Sequence, residues 1–89
     1  MATKGVMEHV NEDPRFADGL RRCMDRHITG DWGDLPKEDR EMNDYAIEME
    51  RRGKPSDRLM SAYTIRGVRV WIITEYDRSH TTVLLPEEY

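Results

Sequence analysis

The chain has 89 residues, 37% of them hydrophobic and 36% charged, with a mean hydropathy of −0.86; this suffices for one small core and predicts a single domain. Its net charge of −4 argues against broad contact with a phosphate backbone, which needs Lys and Arg in excess on one face. A single cysteine, Cys23, excludes an internal disulfide and a cysteine-based zinc cluster.

The opening stretch MATKGVMEHVNEDP lacks an apolar run followed by a small-residue cleavage site, so it predicts a flexible arm over residues 1–12 and no signal peptide. From Pro14 to Ile28, Phe16, Leu20, Cys23, Met24 and Ile28 recur at steps of three and four, the stripe of a half-buried helix. Asp13 supplies a cap, Pro14 suits the first turn, and Gly30 supplies the stop. A second helix is predicted over Leu35 to Arg52. Asp34 is its expected cap, Glu38, Asp39 and Glu41 sit at the positive end of its dipole, and Met42, Tyr45, Ala46 and Met49 are its expected buried stripe.

After GKPSD the period changes. RLMSAYTI and VRVWIITE, joined at Arg66 and Gly67, are rich in β-branched and aromatic residues and predict a hairpin. Pairing Ile65 with Val68 puts Leu59, Tyr63, Val70, Ile72 and Thr74 on a core face, and Met60, Ala62, Thr64, Arg69, Trp71 and Ile73 on a mixed face. TTVLL then predicts a third strand ended by Pro86. The expected fold is α+β: two helices packed on a three-stranded antiparallel β-meander (ααβββ), as one domain over residues 13–89. The longest apolar runs are far short of the roughly 20 residues of a membrane helix, so a cytoplasmic protein without membrane contact is expected.

Two polar segments stand out. In GDWGD, Gly30 and Gly33 suit positive φ and Trp32 can plug the corner between the helices, while Asp31 is left without a structural task. In TEYDRSHTT, Glu75, Asp77, Arg78, Ser79 and His80 crowd one hairpin tip; alternation along a strand sets Ser79 and His80 on opposite faces, so a nucleophile pair is not implied. His27, Asp31 and Asp34 lack a further His or Cys to complete a metal set, and no glycine-rich phosphate loop, HExxH or nucleophile elbow is present. No cofactor, metal or catalytic residue is therefore assigned.

The runs RHITGDWGDLPKEDREMND, LMSAYTI and VWIITEYDRSHTTVLLPEEY resemble a small bacterial family of plasmid-related proteins found on plasmids, integrated elements and phages. The resemblance covers roughly Asp25 to Tyr89 and departs at ERRGKPSDR and at the Arg66-Gly67 turn. It implies a mobile-element setting, in which small acidic proteins often inhibit host defence, by analogy alone.

These readings lead to three functional expectations. The first is a non-enzymatic acidic protein that binds and inhibits a host defence complex of the CRISPR or restriction type, using Asp31, Trp32, Asp34, Glu75, Asp77 and Arg78 and touching no nucleic acid directly. The second is a small hydrolase or nucleotide-binding enzyme using His27, Asp31, Glu75, Asp77 and Arg78. The third is a homodimeric regulatory module joined through Trp71 and Ile73.

Overall fold

A computed structural model describes residues 1–89: helices α1 (Lys4–Glu12), α2 (Pro14–Ile28) and α3 (Lys37–Arg51) precede strands β1 (Leu59–Ile65), β2 (Val68–Thr74) and β3 (Thr81–Leu84), and a 3-10 turn spans Pro86–Glu88. The class is α+β, with an antiparallel sheet in the order β1-β2-β3. The expected count of two helices is corrected to three. Residues 4–12, read from sequence as part of an arm, form α1, whose Val6 is fully buried beside Phe16, Cys23 and Val83.

The start of α2 follows from local chemistry. Asp13 Oδ1 accepts a 2.9 Å bond from the Arg15 amide and Pro14 fills the first helical position, where its missing N–H costs nothing. α3 departs from expectation at its start. Pro36 stands at the cap position, and the Asp34 carboxylate lies instead 3.2 Å from an Arg69 guanidinium nitrogen.

The hairpin register is the one the alternation predicts, Ile65 opposite Val68, with Arg66 (φ 49°) and Gly67 (φ 80°) in the left-handed conformations of a tight two-residue turn. Tyr63, Ile65, Val70, Ile72 and Val83 share one sheet face and pack against α1 and α2. α3 contributes no residue to that cluster. It packs against β1, where Trp32, Ala46 and Leu59 form a second, smaller core bordered by Leu35 and Ile47.

Both outer strands are paired over part of their outer edges, which shortens the open edge that invites aggregation. Beside β3, the Thr3 amide donates to Val83 O at 3.0 Å and the Val83 amide to Met1 O at 2.8 Å. Beside β1, the Asp34 amide donates to Ala62 O at 2.8 Å and the Ala62 amide to Trp32 O at 3.3 Å. One residue pair further along, the Asn43 side chain of α3 substitutes for a strand: its Nδ2 donates to Met60 O at 2.7 Å and its Oδ1 accepts from the Met60 amide at 3.2 Å. This double bond turns α3. Asn43 and Ala46 point inward, while Met42 and Tyr45, expected in the core, are 62% and 64% exposed.

Candidate docking site

The two polar segments meet at one groove of about 420 Å³, to which the helix corner contributes Gly30 and Trp32 and the β2–β3 connection Thr74 and Arg78. His27, only 5% exposed, lies in its wall. Its Nδ1 bonds Ser61 Oγ on β1, its Nε2 lies 2.8 Å from Thr74 Oγ1 on β2, and Thr74 Oγ1 continues to Thr81 Oγ1 at 2.9 Å. A neutral imidazole offers one donor and one acceptor, which two hydroxyl groups can satisfy in full. Burial pushes the His27 imidazole down to about 4, so it is neutral at pH 7. Ser61 is fully buried, so its hydroxyl meets no substrate despite its contact with His27. The network ties α2 to all three strands.

Arg78 is committed internally. Its Nε donates to Glu50 Oε2 at 2.7 Å, its Nη1 to the carbonyls of Asp57 (2.7 Å), Glu75 (3.1 Å) and Tyr76 (3.3 Å), and its Nη2 to Ser56 Oγ at 3.0 Å. One guanidinium thereby fastens the end of α3, the loop before β1 and the β2–β3 turn.

The other residues singled out from sequence are distributed. Trp32 is 4% exposed, with its indole N–H donating to Asp44 Oδ1 at 2.8 Å and its ring edge-on to His27 at 5.7 Å between centroids. The indole therefore plugs the corner. Asp31 accepts two bonds from Arg26, at 2.7 and 3.1 Å, and these hold its carboxyl below the usual range. Asp34 sits beside Arg69 near the start of β2, whereas Glu75 and Asp77 follow its end. Five residue steps along β2 separate Arg69 from Thr74, roughly 17 Å at 3.3 Å per residue, so Asp34 and Asp77 share no surface.

Ser79 and His80 do meet, contrary to the alternation argument, because residues 76–79 form a turn and not a strand: Ser79 Oγ lies 2.7 Å from His80 Nδ1. The acid of this trio is on the wrong partner for nucleophilic catalysis. Asp77 Oδ1 accepts from Ser79 Oγ at 2.6 Å and from the Ser79 amide at 3.0 Å, and makes no hydrogen bond to the imidazole that would orient it. No three His, Cys, Asp or Glu side chains converge closely enough to hold a metal ion.

The feature that sequence reasoning assigned to the core is the outer face of α3. Met42, Tyr45 and Met49, with Pro55 from the following loop, line a depression of about 500 Å³ rimmed by Glu38, Glu41 and Asp57. Neither the Glu38 nor the Asp57 carboxylate has a cationic nitrogen within 4.0 Å. The signal that could have exposed this face was Asn43: an amide in the middle of a supposed apolar stripe shifts the buried side to Asn43, Ala46 and Ile47. The chain matches no family model, no curated protein and no solved structure.

Proposed function

We propose that the protein is a non-enzymatic docking module, and that the outer face of α3 engages a larger protein whose binding surface presents an apolar side chain within a basic rim. One observation carries the reading: the Met42 and Tyr45 side chains stand exposed on a fixed helix, in a depression whose charged rim is entirely acidic. Large apolar side chains held in a concave patch with polar borders are the usual composition of a binding surface. The rim adds selectivity, since the Glu38 and Asp57 carboxylates, which have no ion-pair partner, favour a basic partner and repel an acidic one, while Glu41 lies 3.7 Å from the Lys37 ammonium. The resemblance to plasmid-related proteins nominates host defence complexes with basic nucleic-acid grooves as the partner class. Asp31 and Asp34 remain exposed enough to contribute at the margin, each at the cost of its present arginine partner.

The test is binding of the purified protein to purified CRISPR effector and restriction complexes at low salt, followed by light scattering or calorimetry. The expected result is a salt-sensitive complex with one of them that Glu38→Lys/Glu41→Lys weakens at least tenfold. Absence of any complex, or a complex indifferent to that double reversal, overturns the reading. An enzyme reading draws no comparable support, because Arg78 is bonded on every side and His27 contacts a hydroxyl that no substrate reaches.

A further inference from the structure

α2 and the β1–β2 hairpin enclose a separate groove of about 560 Å³, walled by Arg15, Arg22, Arg26 and Arg66 together with Thr64. Arg15, Gly19, Arg22 and Arg26 recur at steps of three and four and so lie along one side of α2. Gly19 allows the close approach that forms the floor: a Cβ there would stand 2.6 Å from Ile65 Cγ2. Asp18 is the only acid in the wall and pairs with Arg21. Arg26 and Arg66 hold Asp31 and Asp13, whereas Arg15 and Arg22 have no carboxylate within 4.0 Å.

The strand edge adds a neutral donor to these cations. Along β1 the backbone groups of Met60 and Ala62 that face away from β2 are taken by Asn43, Trp32 and Asp34. Those of Thr64, next in the same direction, have no protein partner. An unpaired amide thus accompanies four guanidinium groups.

We infer that this groove binds the phosphodiester backbone of a nucleic-acid duplex without reading its sequence. Guanidinium forks match phosphate oxygens in pairs. From Arg15 to Arg26 the row runs roughly 16 Å at 1.5 Å per residue, longer than one phosphate and suited to several in succession. Only Cys23 and Ile65 contribute apolar surface, and the Tyr63 ring is covered by Arg26 at 4.8 Å, so there is no platform on which an unstacked base could lie. The net charge of −4 averages over the whole surface and conceals this local excess of cations. It also confines the contact to the groove and makes it salt-sensitive. The inference stands apart from the α3 reading, whose depression shares no residue with this groove.

The experiment is anisotropy of a labelled duplex DNA of about 20 base pairs, titrated with the intact protein between about 20 and 150 mM salt. Expected is saturable binding at low salt, indifferent to a scrambled sequence, with a log–log salt slope of about −2 to −4. Arg15→Gln/Arg22→Gln, which breaks no ion pair, should weaken binding at least tenfold and flatten the slope by about two, while Arg40→Gln on α3 leaves it unchanged. On the unaltered protein, amide shifts on adding duplex should centre on Arg15, Arg22 and Thr64. Lack of saturable binding at low salt, equal loss with Arg40→Gln, shifts centred elsewhere, or inorganic triphosphate binding as tightly as the duplex each overturns the inference.

Discussion

His27 Nε2 on α2 and Thr74 Oγ1 at the end of β2 lie 2.8 Å apart, and this contact joins elements 47 residues apart in sequence through a ring that must stay neutral. Burial lowers the His27 pKa from 6.5 to about 4, so below pH 6.5 the unfolded chain takes up a proton that the folded chain refuses. Stability contributed above pH 6.5 is therefore lost as pH falls towards 4, by roughly 3 kcal/mol across that window. Urea unfolding at pH 7, 5.5 and 4.5 should show this decline. His27→Gln keeps an amide donor and acceptor for the two hydroxyls but does not titrate, so its stability should be flatter over the same range. Asp31 and Asp77, whose carboxyls are held low by Arg26 and Ser79, contribute their own decline further down the scale. A wild-type curve no steeper than that of His27→Gln would show that His27 protonates freely in the fold.

Gly33 and Gly53 share a left-handed backbone, φ +72° and +70°, but not their surroundings. A Cβ at Gly33 would stand 2.1 Å from Ala62 O and 2.7 Å from the Tyr63 ring, where the corner segment pairs with β1; at Gly53 it would meet nothing within 4 Å. Gly53→Ala should cost only the left-handed penalty, about 1 to 2 kcal/mol. Gly33→Ala adds displacement of the backbone pairing along the β1 edge, and should cost more than about 3 kcal/mol or abolish folding. Equal losses in denaturant titrations of the two variants would refute the role given to that pairing.

Much of this architecture was legible because its determinants are local. The Asp13-Pro14 start of α2, the Arg66-Gly67 turn and the period-two alternation of β1 and β2 each specify their own element within a few residues. α1 was not legible because its start is completed from the far end of the chain. The Glu88 carboxylate bonds the Thr3 hydroxyl and accepts from the Gly5 amide at 3.0 Å, and from the Leu85 amide at 2.9 Å. A cap drawn from 83 residues away leaves no mark in the sequence MATKGVMEHVNE, whose fully buried apolar side chain is Val6 alone. Trp32 plugs the corner as its place between Gly30 and Gly33 suggests, but its partners Ala46 and Leu59 come from α3 and β1 and are not marked in the local sequence. The polar segments were visible as segments, yet their division into clamp, ion pair and exposed turn depends on tertiary neighbours.

Arg78 illustrates that division. Its five short contacts with Glu50, Ser56, Asp57, Glu75 and Tyr76 are made from a residue with φ 62°, a left-handed conformation that an L side chain occupies at a cost. Arg78→Ala leaves three carbonyls and a carboxylate to find water, and should destabilise by about 2 kcal/mol. Arg78→Lys should recover less than half of this, since a single ammonium cannot reach Glu50, Asp57 O and Ser56 together. Thermal and urea unfolding of the two variants measure it. Full recovery with Lys would mean that charge alone, and not the planar fork, holds the three segments.

The two sides of α3 should respond to substitution in opposite ways, because polarity and burial are inverted on this helix. Asn43 is polar and buried, and its amide is the sole partner of the Met60 N–H and C=O at the β1 edge. Asn43→Leu raises apolar content but strands both groups, so it should destabilise by about 2 kcal/mol. Met42 and Tyr45 are apolar and exposed, so Met42→Ser/Tyr45→Ser removes little buried area and should change stability by no more than about 0.5 kcal/mol per site. The same double variant should weaken the proposed complex tenfold or more, since truncating large side chains at the centre of a docking patch removes the groups that carry most of its affinity. Urea titration and calorimetry on the same preparations separate the two effects. A large stability loss from the serine pair would place these side chains in a core after all, and an unchanged affinity in a well-folded variant would remove this face of α3 from the interface.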